Sequence, residues 1–129
     1  PLSKQAIAEI EALRPITEHS RFLFPNVAKP EKCMSENTML YAIYRMGYHS
    51  RATGHGFRTT ASTILNEQGF HPDAIERQLA HAPRDKVRAA YNKAEDLPIR
   101  RKMMQTWADF LDGLAAGADV TPILRAKAA

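Results

Sequence analysis

Two histidines, an arginine and a tyrosine stand in an order that could do covalent chemistry on a phosphodiester. His55 and Arg58 lie in Gly54-His55-Gly56-Phe57-Arg58, His81 closes Leu79-Ala80-His81, and Tyr91 follows. An arginine fork matches two phosphate oxygens at once. A phenol with a reference pKa of about 10 becomes a nucleophile at neutral pH only beside a base or in a cationic pocket. His55, His81 and Arg58 are the candidates to supply both. Three residues apart at a helix start, His55 and Arg58 share a face, and the helix dipole and orphan N–H groups there favour an anion. Spacing alone is a weak signal, because His-x-x-Arg occurs twice, at His55/Arg58 and His81/Arg84. Taken singly, His55 reads as a capping or core histidine and Tyr91 as a core-edge tyrosine with a wet hydroxyl.

The elements that must position these groups are helical. Ser3 can cap a helix over about 4–13, with Ile7, Ile10 and Leu13 on one stripe and Pro15 beyond its end. Phe22-Leu23-Phe24 is too short to classify, and residues 25–34, with two prolines and mixed charge, read as a surface loop. Ser35 opens a second helix of about 36–46, with Met39, Leu40, Ile43 and Met46 inward and Gly47 as its stop. A basic loop over 48–56 leads to a third helix, about 57–68, which carries Phe57, Thr60, Ala61, Ile64 and Leu65 on one face and stops at Gly69. Pro72 suits the first position of a fourth helix running to about Ala80. Pro83 breaks the pattern, so a turn can fold His81 toward Tyr91, which sits with Val87 and Ala90 on a fifth helix of about 84–93. Pro98 opens the last helix, about 98–115, with Ile99, Met103, Trp107, Phe110, Leu111 and Leu114 as its stripe. The expected class is mainly α with little or no strand.

Charge points to a polyanion. The net charge of +4 comes entirely from residues 51–102, which hold ten Lys/Arg against six Asp/Glu. Such a basic middle suits DNA, although a solvated arginine-rich face accounts for it equally well. No apolar run is long enough to span a membrane, and no signal-peptide pattern opens the chain. One cysteine, Cys33, cannot form an internal disulfide and fits a reducing cytoplasm. It has no Cys/His companion at metal spacing, so no metal site is expected. No glycine-rich nucleotide loop is present either. His19 and His49 read as solvent-facing, and His71, just before Pro72, as a local cap.

The words around the four candidate residues carry a resemblance. Thr53-Gly-His-Gly-Phe-Arg-Thr-Thr-Ala-Ser-Thr-Ile-Leu-Asn-Glu67 closely resembles the second catalytic box of tyrosine recombinases, in the form found in integrases of satellite phages and genomic islands. Ile75 to His81, Val87 to Asn92, and the segment from Arg100 to Asp109 are similar to the same family. So are Phe24-Pro25 and Met34 to Thr38. The resemblance covers residues 1–112 or so and implies the helical C-terminal part of the catalytic domain. It also implies roles. Tyr91 would attack the scissile phosphate, Arg58 would clamp its non-bridging oxygens, His81 would donate a hydrogen bond to it, and His55 would act as acid and base. No cofactor is implied. Arg51, Arg84, Lys86 and Arg88 are expected to contact DNA.

The family also uses an arginine from an early helix and a lysine on a β-hairpin. Pro1-Leu2-Ser3 resembles the end of that hairpin, and Lys4, Arg14 and Arg21 do not match either position. The expectation is therefore a partial catalytic domain over 1–116, lacking its N-terminal helix and hairpin portion, with a flexible tail over 117–129. Such a piece is expected to be inactive alone, while its parent would integrate and excise DNA. Expected partners are double-stranded attachment sites and other integrase protomers, with no membrane and no small-molecule substrate. The expected place of action is the bacterial cytoplasm, at the nucleoid. The alternatives are a non-catalytic DNA-binding or assembly remnant and, more remotely, a phosphodiesterase using His55 and His81 without a covalent step.

Overall fold

The computed structural model describes residues 1–80 and 97–117. Among these residues helix dominates and no strand occurs, apart from one isolated antiparallel bridge between Pro25 and Cys33. The expected mainly α class therefore holds. The expected helix over 84–93 and the tail beyond Gly117 lie outside the described residues. The chain divides into two compact units, one of Lys4–Phe57 and one of Pro1–Ser3 with Arg58 onward.

In the first unit, α1 spans Lys4–Thr17 and runs through Pro15 instead of stopping before it. A proline in the last turn removes its own N–H bond and crowds the carbonyl four residues back, but little helix remains beyond it to be broken. The Arg14 carbonyl still accepts from Glu18 N at 2.9 Å, so the helix finishes normally. The loop that follows is closed by local bonds. Asn26 Oδ1 accepts from Ala28 N and Lys29 N, while Asn26 N donates to the Lys32 carbonyl. That asparagine turn brings Pro25 opposite Cys33.

Helix α2 is short, Thr38–Ile43, and its N-cap is Asn37, not Ser35. Ser35 acts one turn earlier, its Oγ accepting from Asn37 N at 3.3 Å. After Ile43 the helix widens into a π-turn, Tyr44–Tyr48, whose helical path breaks at Gly47 with φ +88°. Only Ile43 is buried there, and Met39 and Met46 are exposed rather than inward. A helix of six residues can shelter few positions, and the π-turn rotates Met46 off the α stripe.

The second unit holds the core. Helix α3 spans Gly54–Glu67 and enters this unit at Arg58. Its end is a Schellman motif. Gly69 adopts φ +82°, Phe70 N donates to the Leu65 carbonyl at 3.1 Å, and Gly69 N donates to the Asn66 carbonyl at 3.0 Å. The same turn sets Phe70 against the cluster to which Leu65 belongs. Helix α4, Pro72–Gln78, starts on His71, whose Nδ1 accepts from Asp73 N at 3.2 Å, the cap expected of it. Helix α5 spans Leu97–Ala115. Leu65, Ile75 and Met103 form the buried cluster, with Phe70, Leu79, Met104 and Trp107 around it. Burying side chains such as Ile75 and Met103 stabilises the fold by roughly 1.5–3 kcal/mol each. The rest of the expected α5 stripe fares differently. Trp107 stacks on Phe110 at 5.6 Å, while Ile99, Leu111 and Leu114 are exposed.

Candidate functional site

Helix α3 begins three residues earlier than its expected start at Phe57, and that shift decides how the site is built. Thr53 caps it, its Oγ1 accepting from Gly56 N at 3.0 Å. Phe57 N then donates to the Thr53 carbonyl at 3.3 Å. A threonine at this position satisfies one of the orphan donors of a helix start. Gly54, His55, Gly56, Phe57 and Arg58 therefore belong to the helix, not to a loop. His55 is exposed and Arg58 is half-buried. Both fall within the first five positions of α3, where the macrodipole favours an anion.

Among the described residues, neither glycine is forced by its surroundings. A Cβ at Gly54 would meet nothing within 4 Å, and one at Gly56 would meet only Thr53 Oγ1 at 3.4 Å. Glycine lowers helix stability relative to alanine. Two of them on either side of His55 therefore keep this backbone bare without any packing reason. A bare helix start is suited to close approach by a large anion.

His81 and Tyr91 lie outside the described residues, as do Arg84, Lys86 and Arg88. The structure does place the residue from which His81 follows. α4 ends with Leu79 N donating to the Ile75 carbonyl, and Ala80 then takes φ +52°. Gln78, half-buried, holds this end in place. Its Nε2 donates to the Pro1 carbonyl at 3.4 Å, and its Oε1 accepts from Arg100 Nε at 3.0 Å. These partners are 77 and 22 residues away in sequence, so nothing in local spacing foretold them.

Arg51 is exposed, and its guanidinium lies 6.0 Å from the centroid of the Tyr48 ring. His49 is exposed as expected, but it is not merely solvated. Its ring packs 4.3 Å from Tyr44, and its Nδ1 lies 3.0 Å from Ser50 Oγ. Among the described residues, no group of three or more His, Cys, Asp or Glu is placed to hold a metal ion. No helix among them is long and apolar enough to cross a membrane.

Comparison with known proteins finds integrases. The chain is 42% identical over 120 residues to prophage integrase IntA of Escherichia coli (strain K12), an alignment covering 93% of the chain and 29% of that protein. It is 48% identical over 116 residues to the integrase of Enterobacteria phage P4, covering 87% of the chain and 26% of that protein. To the integrase of Shigella phage Sf6 it is 46% identical over 113 residues, covering 87% and 29%. The chain thus spans less than a third of the length of these relatives. No solved structure matches it. The profile of the phage integrase family matches residues 1–97, a stretch that contains α3, α4 and all four candidate catalytic residues, and the chain belongs to that family of tyrosine recombinases.

Proposed function

We propose that this chain supplies the nucleophile-bearing part of a site-specific DNA recombinase. Tyr91 attacks the scissile phosphate and forms a 3′-phosphotyrosyl ester as the bond from phosphorus to the 5′-oxygen breaks, and that oxygen leaves as a hydroxyl with a proton from the hairpin lysine that the resemblance implies as general acid. His55 accepts the phenol proton and later returns it. Arg58 clamps the non-bridging oxygens against the charge that builds in the transition state, and His81 donates a further hydrogen bond to them. The 5′-hydroxyl of a partner strand then attacks the ester and rejoins the DNA. The bond energy stays in that ester, so neither nucleotide nor metal is consumed.

The observation that carries this reading is the first turn of α3. There Thr53 caps a glycine-flanked His55 on the same helix as Arg58. Similarity to named phage and prophage integrases supports it. On the wording of the α3 box, we place the chain with the satellite-phage and genomic-island type, in the second half of the catalytic domain. Its partners would be duplex attachment sites and further protomers, met in the bacterial cytoplasm at the nucleoid.

In this reading Lys4, Arg14 and Arg21 stand for neither the early-helix arginine nor the hairpin lysine of the family. Removing one donor to a developing charge costs about 2.7–4 kcal/mol, a rate loss of roughly 10² or more. Two such losses would leave the isolated chain near background. The test is covalent trapping of the intact protein on nicked duplexes cut from the element–host junctions. Adducts are expected with Tyr91 and not with Tyr91→Phe, whose DNA binding should stay within a few-fold. Adducts that persist in Tyr91→Phe would remove Tyr91 from its role.

A further inference from the structure

The segment leading into α3 has a composition that catalysis does not explain. From Asn37 to Asn66 there is no Asp or Glu in thirty consecutive residues, although the chain holds fourteen acids in 129. At that density about three are expected in such a stretch. The same run contains Arg45, Arg51 and Arg58, His49 and His55, and three of the four tyrosines. An acid-free run with this many cations repels no polyanion along its length.

The structure gathers part of this run into one surface of the first unit. Gly47 at φ +88° and Ser50 at φ +62° are two left-handed residues within four positions, and they turn the chain sharply after the π-turn. The turn presents Tyr48, His49, Ser50 and Arg51, all exposed. Each is braced by a neighbour. Tyr44 backs the His49 ring at 4.3 Å, His49 Nδ1 meets Ser50 Oγ at 3.0 Å, and Tyr48 lies beneath the Arg51 guanidinium. A left-handed conformation at a serine is strained, and such strain persists only where the surroundings fix it.

From this we infer that Tyr48, His49, Ser50 and Arg51 form a preformed clamp for the sugar–phosphate backbone of duplex DNA. The inference rests on the recombinase reading for its choice of polyanion. The chemistry suits phosphate oxygens rather than base edges. Arg51 supplies a charged fork and Ser50 a hydroxyl, while the tyrosine and histidine contribute polar edges, in a run that brings no carboxylate of its own. Stacking on Tyr48 holds the guanidinium before DNA arrives, so less side-chain freedom is lost on binding. Contacts of this kind set register along the duplex and carry little sequence information.

The test uses the intact protein in a Tyr91→Phe background, so that binding is read without any covalent step. Affinity for a 30-base-pair duplex of arbitrary sequence is measured by fluorescence anisotropy across a salt series. Arg51→Gln should lower the slope of log K against log salt by about 0.9, which at 0.1 M salt is roughly an eightfold loss of affinity. Tyr48→Leu should give a smaller loss, with the slope nearly unchanged, because it removes the brace and leaves the charge. Arg21→Gln is the matched control. Arg21 is also exposed and stacked, 4.7 Å over Phe22, but lies outside the acid-free run, and its loss should leave affinity unchanged. Wild-type affinity and slope in Arg51→Gln would overturn the clamp, as would an equal loss in Arg21→Gln. Either result leaves the role of Tyr91 standing, because that role is read from adducts and not from affinity.

Discussion

The two units bury very different amounts of themselves. In the unit from Arg58 onward with Pro1–Ser3, Leu65, Ala74, Ile75, Met103 and Ala108 are buried, and three helices share the cluster. In Lys4–Phe57, Ile43 alone is a buried hydrophobic residue, and α1 buries none of its fourteen. One unit is held by side-chain packing. The other is held by turns, caps and loop hydrogen bonds, and it keeps its tyrosines and cations near water. Packed helices hold groups still, whereas a thinly packed unit leaves its surface for contact with something larger.

That contrast can be broken by cutting into each side. The largest effect should come from Met103→Ala, which empties the centre of the cluster and should cost about 2–5 kcal/mol in chemical denaturation. Ile43→Ala should cost less, and an equal or greater loss there would erase the difference between the units. Next comes Gly69→Ala, which forces a Cβ into a left-handed turn and should cost about 1–2 kcal/mol. Thr53→Ala should cost about 1 kcal/mol through the lost cap, and Thr53→Ser should restore most of it. Hydrogen exchange should then show faster opening at the start of α3 with little change in α5, and uniform acceleration would make the contrast void. The smallest change is expected from Gln78→Ala, about 0.5–1.5 kcal/mol for its hydrogen bonds.

Much of the helical frame was legible from punctuation. Pro72 and Pro98 marked helix starts to within a residue, and Gly47 and Gly69 marked stops, because both types act on the backbone locally. Gly54 and Gly56 misled for the same reason. They look like loop residues, yet Thr53 supplies the cap that lets the helix begin at Gly54. Pro15 misled in the opposite sense, since a proline near a helix end removes a bond the helix can spare. Apolar spacing found the face of α5 but not its burial, as exposed Ile99, Leu111 and Leu114 show. Periodicity says which residues could face a partner, not whether one is there. Of the candidate site, spacing put His55 and Arg58 at a helix start, but the expected start at Phe57 left His55 in the loop before it. The bracing of His49 by Tyr44 and the bridge through Gln78 were not readable, because those contacts depend on a π-turn and on distant chain segments.

The side chain of Gln78 meets a carbonyl at one end and a guanidinium at the other. The first needs a proton donor and the second an acceptor, and an amide is the uncharged side chain that offers both from one planar group. Glutamate has the same shape, but it would bring an anion to the Pro1 carbonyl and keep only the Arg100 contact. Lysine would reach the carbonyl and repel the arginine. The position is therefore a polarity adaptor between three stretches of chain, and Gln78→Glu tests it with almost no change in volume. If the joint depends on shape, that variant behaves as the parent. If it depends on having two opposite ends, the tie to Pro1 is released while α4 stays fastened to α5.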